Sequence, residues 1–296
     1  MLFASFRHLG LSFLLLGLLI GCGREPVAPG NPVAAVEGLA DAIKDNDLLR
    51  YSKLSLPPKL HTQMEQRWAA ELALAPALTS TQIKDHAHYM KQMMEPGAEA
   101  KLFIRYESKL KKFQSEINSQ WPLMQGAAKI FVSGAIQANE NLTTAERDHA
   151  KAVSQAILKW LKPAMFSDKE KARKTIAIIC QAAREVNLPQ AQQMQQLSMI
   201  ASLEKTSLGL KALKDIGRIY GADIDESLDN MEAKLVDADA SGNKATVEVD
   251  YVLLDQEIKF EIEMTRIDDR WYPADSVQDA QQTLKQVLPT AAVSAP

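Results

Sequence analysis

Cysteine is nearly missing from this chain: 296 residues hold two, Cys22 and Cys180. Two thiols cannot form a disulfide framework, and no Cys-x-x-Cys pair offers a redox or zinc site. Also missing are Gly-x-Ser-x-Gly, His-Glu-x-x-His and a Walker loop, so the common signatures of serine hydrolases, zinc proteases and P-loop NTPases do not apply. Basic surplus is missing too. The formal net charge is −3, which gives no global electrostatic attraction to nucleic acid. Near the N-terminus the apolar stretch from Leu9 to Gly21, interrupted only by Ser12, is thirteen residues long. A helix of that length rises about 20 Å, short of the roughly 30 Å hydrocarbon core of a bilayer.

That stretch follows Arg7 and His8 and ends in a polar, proline-rich segment, the layout of a secretory signal. A core helix apolar on every side would need covering all round, and nothing adjacent supplies it. Leu19-Ile20-Gly21-Cys22 resembles the lipobox of bacterial lipoproteins. The resemblance implies diacylglyceryl attachment to the Cys22 thiol, cleavage before Cys22 and acylation of the new amino terminus. Two or more acyl chains give stable anchoring where one gives marginal binding. Gly23 stands where an inner-membrane-retained lipoprotein commonly has Asp, so the resemblance implies an outer-membrane anchor facing the periplasm. A lipidated Cys22 leaves Cys180 without an intramolecular partner, and its setting in TIAIICQAA reads as a buried, unreactive thiol.

Five segments are expected. Residues 1–21 are the signal peptide. Residues 22–32 are the lipidated cysteine and a flexible tether, GREPVAPGNP being too rich in proline and glycine for regular structure. Residues 33–221 are helical, 222–288 form an α+β region, and 289–296 a disordered tail. Val36, Leu39, Ala40, Ile43 and Leu48 open the helical part, which LSLPPKL interrupts. Phe103, Tyr106, Leu110, Phe113 and Ile117 step by three and four, as do Val153, Ile157 and Trp160. Pro122 predicts a kink or break near Trp121. Amphipathic faces joined by short polar links are the pattern of a helical bundle.

The period then changes to two. Val247, Val249, Tyr251 and Leu253 alternate with polar or smaller partners, and Ile258, Phe260, Ile262 and Met264 with Lys259, Glu261 and Glu263. These are antiparallel strands with one wet face. Turns are expected at Asp255–Gln256 and Asp268–Asp269, with Arg270-Trp271-Tyr272 as a short third strand and a final helix over 276–288. The fold class is therefore α+β, predominantly α: a helical bundle, a three-stranded antiparallel sheet and a C-terminal helix. TVEVDYVLL and IKFEIEMTRIDDRWYPAD resemble the β-rich half of cystatin-like and nuclear-transport-factor-like periplasmic domains. With KDNDLLRYSKLSLPP, the arrangement resembles a class of uncharacterised proteobacterial lipoproteins. The resemblance implies that a helix over 33–56 packs on the distant sheet, with the helices between as an insertion. Such domains include enzymes and binding modules alike, so no catalytic residue carries over.

Candidate chemistry is sparse. DADASGNKATVE places Asp237, Asp239, Ser241, Gly242 and Glu248 on the calcium-loop template. Yet Lys244 takes a normally apolar position and a strand follows, which favours a polar turn. DHAHYMKQMME offers His86, Met90 and Met93 as a half-site for a soft metal, but His86 and His88 point about 200° apart on a helix. Met90 and Met94 also belong to its apolar stripe. Asp223, Asp225, Glu226 and Asp229 fit capping and first-turn roles. His61 and His149 stand alone, and Trp271 and Tyr272 read as sheet core. The expectation is a non-enzymatic, outer-membrane-anchored lipoprotein without a cofactor, holding an envelope protein partner or an apolar ligand. The alternatives are a metal-binding protein or a hydrolase whose site is assembled from distant residues.

Overall fold

A computed structural model describes residues 27–139 and 142–288. Cys22 and the lipobox, the start of the expected tether up to residue 26 and the tail 289–296 lie outside the described residues. The expected tether meets the fold early: Ala28 is buried, the Pro29 carbonyl accepts the Trp271 N–H at 3.0 Å, and Arg270 donates to the Ala28 carbonyl.

Helix α1, Pro32–Lys44, starts where Asn31 caps the Ala34 N–H and Pro32 presets the first turn. The helix expected over 33–56 is in fact two. Asn46 adopts a left-handed conformation (φ 56°), and Asp47 then caps α2, Leu48–Ser55. Next come α3 (Pro58–Leu74), α4 (Ser80–Met94) and α5 (Ala98–Ala138). Of the kink or break expected near Trp121, the break is absent: α5 runs through Pro122. Proline removes one N–H and crowds the carbonyl four residues back. Here Pro122 and Asn118 both lie on the exposed side of the helix, where no packed neighbour is left against the missing hydrogen bond. That outer side also carries Leu123, Ile130 and Phe131, each more than 70 % exposed.

Helix α6, Thr144–Trp160, opens with a capping box between Thr143 and Glu146. Helices α7 (Lys169–Val186), α8 (Ala191–Met194), α9 (Met199–Ile219) and α10 (Ile224–Asp229) follow. Gly217 is required near the end of α9, since a Cβ there would lie 2.8 Å from the Ala222 carbonyl oxygen. Cys180, on α7, is fully buried, and burial raises its thiol pKa above the ordinary value.

The sheet has four antiparallel strands, not the expected three: β1 (Glu232–Ala238), β2 (Lys244–Leu253), β3 (Gln256–Ile267) and β4 (Arg270–Pro273), in that order. The strand that sequence reading missed is β1. Leu228, Met231 and Leu235 fall at helical spacing, yet Glu232 to Ala238 pairs along β2 with a bulge after Leu235. The β2–β3 turn is Leu254–Asp255, one residue earlier than expected, and Gln256 pairs with Leu253. Asp268–Asp269 turns as expected. Helix α11, Ala274–Lys285, is the last element among the described residues.

One sheet face is apolar and turns inward. Ala245, Val247, Val249, Met264 and Trp271 meet Ala35 and Val36 of α1 in one core. At the β4 end the opposite face is covered too: Tyr272 packs with Leu60 of α3 and Val277 and Ala280 of α11. Lys214 of α9 is 2 % exposed; its Nζ donates to the carbonyls of Ile43 and Lys44 and to Asp225. One buried cation thereby joins the C-terminus of α1 to α9 and α10.

Candidate functional site: a cavity under the sheet

Away from β4 the apolar face is not filled. Between it and α1, α6 and α9 lies a cavity of about 1050 Å³, at the upper end of the roughly 300–1,000 Å³ usual for small-molecule sites. Helix α6 supplies one wall through Glu146, His149, Val153, Ile157 and Trp160, spaced by three and four residues on one face. Val36, Leu39 and Ile43 come from α1, Leu213 and Ile216 from α9, and Val249, Tyr251, Phe260 and Ile262 from the sheet. Large side chains along it stay accessible: Ile157 is 39 % and Leu213 61 % exposed. An apolar lining left open to a void forgoes the dispersion contacts that a filled core makes.

Aromatic contacts join α6 to the sheet. The His149 ring stacks on Phe260 at 3.9 Å, and its Nε2 is hydrogen-bonded to the Tyr251 hydroxyl at 2.8 Å. At the other end of the helix, Trp160 Nε1 donates to the Tyr220 carbonyl. Burial lowers the His149 pKa and raises that of Tyr251 to about 12. Both are therefore neutral at pH 7. A neutral phenol so hard to ionise is a poor nucleophile, and the pair serves as a hydrogen-bonding post in an apolar wall.

Carboxylates gather at the start of α6 and of α11. Glu146, Glu263 and Asp275 border the cavity there. Burial first, then Glu146, Glu263 and Asp279, raises the pKa of Asp275. Among the described residues no lysine or arginine lines the cavity, and none is ion-paired with these three.

The residues singled out from sequence fall elsewhere. Asp239 turns its carboxylate onto its own loop, accepting from Ser241, Asn243 N–H and Lys244 N–H, and these bonds lower its pKa. Asp237 and Glu248 stand on β1 and β2, opposite Thr246 and Lys234. His86 donates from Nε2 to the Leu188 carbonyl at 2.7 Å, while Met90 and Met93 are half-buried on α4. Among the described residues, no three His, Cys, Asp or Glu side chains gather as a metal site. Asp223 caps α10, accepting the Asp225 and Glu226 N–H groups, and pairs with Arg218. His61 is buried between Ser52 and Glu65, and Trp271 and Tyr272 are core.

Sequence reading missed Glu146, Tyr251, Phe260 and Asp275 as site residues. Thr143-x-x-Glu146 was visible as a capping box, but that signal announces a helix start and not a cavity wall. No protein-family model, curated protein or solved structure matches this chain. No helix among the described residues is long and apolar enough to cross a membrane.

Proposed function

We propose that this chain is an outer-membrane-anchored, periplasmic lipoprotein that binds an apolar ligand and is not an enzyme. The observation that carries the binding half is the cavity of about 1050 Å³ between the apolar sheet face and α1, α6 and α9. An apolar guest would regain the dispersion contacts and apolar burial that the lining lacks, worth about 25 cal/mol per Å² of surface removed from water. The neutral His149–Tyr251 pair offers one polar contact to fix the guest's orientation, as such sites commonly do. The anchor rests on the lipobox resemblance at Leu19–Cys22. In this reading Cys22 carries the lipid and the folded body begins within a few residues of it.

The binding half is tested with the processed chain, residues 22–296 carrying Cys22→Ser, titrated with the neutral fluorophore N-phenyl-1-naphthylamine. Saturable enhancement at one probe per chain is expected, and Val153→Trp, which fills the cavity, should abolish it. Enhancement that never saturates, or that Val153→Trp leaves intact, would refute the reading. For the anchor, Cys22→Ser in the full chain should remain unprocessed and carry no lipid. Normal lipid anchoring of that variant would contradict the lipobox assignment.

A further inference from the structure

The cavity has two unlike ends. From Glu146 to Trp160 its α6 wall extends about 21 Å at 1.5 Å per residue. At the Trp160 end the lining is Ile157, Leu213, Ile216, Leu253 and Leu254, apolar throughout. At the Glu146 end, Glu263 of β3 and Asp275 and Ser276 of α11 converge with Tyr51. Two helix N-termini also point there, each equivalent to about half a positive charge. Three carboxylates outweigh that sum, and among the described residues no lysine or arginine lines the cavity to offset them. Low-dielectric walls strengthen the resulting negative potential.

We propose that the cavity selects amphiphiles with a cationic head, such as long-chain amines or quaternary ammonium compounds, and rejects anionic ones such as fatty acids. The head sits among Glu146, Glu263 and Asp275, and the tail runs past His149 toward Trp160 and Leu213. This rests on the ligand-binding reading above and adds the sign of the guest. The Tyr51 ring beside the carboxylates suits a quaternary ammonium group, which aromatic faces attract. An anionic head would meet three like charges with no partner, the arrangement by which sites exclude a competitor.

The test uses three guests with one tail: dodecyltrimethylammonium, dodecanol and dodecanoate, all below their micellar concentrations. Each displaces N-phenyl-1-naphthylamine from the processed chain at pH 7 and low salt. The ammonium compound should displace at a concentration at least 10-fold lower than the carboxylate, with the alcohol between. Tetramethylammonium, lacking a tail, should not displace. Glu263→Gln combined with Asp275→Asn should shrink the ammonium-to-carboxylate ratio several-fold, each displacement being read against that variant's own affinity for the neutral probe. Saturable probe binding with dodecanoate competing as well as dodecyltrimethylammonium would overturn the charge selectivity alone. Failure of the neutral probe to bind would instead overturn the ligand-binding reading, and this inference with it.

Discussion

The two ends of the sheet obey the same alternation and meet opposite fates. At the β4 end, Met264, Trp271 and Tyr272 are almost completely buried, with helices on both faces. Helix α1 comes close there because Ala35 presents only a methyl group to the strands. At the β2–β3 hairpin end, Tyr251 and Phe260 also point inward and α6 meets them with the flat ring of His149, but the face beside that contact borders the cavity. Size at the point of contact sets the spacing between layers. An alternating pattern tells which face is turned inward, but it carries no information on how far away the covering helix rests.

Four substitutions sharpen or break this contrast. Trp271→Ala should be the most damaging, costing about 3–5 kcal/mol as expected for a packed aromatic, read as a fall in the denaturation midpoint. Lys214→Met comes next. It leaves the last carbonyls of α1 and part of Asp225 without a partner, and removing one member of a buried pair costs about 3–5 kcal/mol. The lower end of that range is expected because Arg218 still bonds Asp225 at 2.8 Å. Ile157→Ala, at the hollow end, should cost about 1 kcal/mol or less, against the roughly 2–5 kcal/mol of a packed Ile→Ala change. A loss as large as that at Trp271 would mean that the hairpin end is as tightly filled as the β4 end.

The smallest effect concerns pH. His149 is held below its ordinary pKa of 6.5 by burial. As pH falls below about 6.5, the unfolded chain takes up a proton that the folded chain refuses, so stability declines. The decline stops once pH passes the lower folded value. Chemical denaturation of His149→Gln and the parent between pH 7 and pH 4 should show this component in the parent alone. Parallel curves would indicate that His149 is not desolvated at the Phe260 face.

Much of the fold was legible because periodicity reports exposure directly. The stripe Val153, Ile157, Trp160 and the alternation around Val247 and Phe260 place their residues on the inward faces that the structure uses. The β1 strand was not legible, because Leu228, Met231 and Leu235 fall at helical spacing and Glu232 to Ala238 becomes a strand only by hydrogen bonding to an open edge of β2. Nor was the uninterrupted α5, since tolerance of Pro122 depends on which side of the helix faces water. The site was least legible of all. His149 and Tyr251 are 102 positions apart, and each alone reads as an ordinary half-buried residue.

What the sequence by itself determined is local: which stretches are helix or alternating strand, which face of each is apolar, where caps and turns fall, and the lipobox-like segment before Cys22. These follow from propensity, spacing and side-chain chemistry within a few residues. Only the tertiary structure decided that α6 meets that sheet through His149, that a cavity is left beside this contact, and that Glu146, Glu263 and Asp275 meet at one end of it. Distances between segments remote in sequence arise from how side chains from different elements collide and interlock, which no single segment encodes.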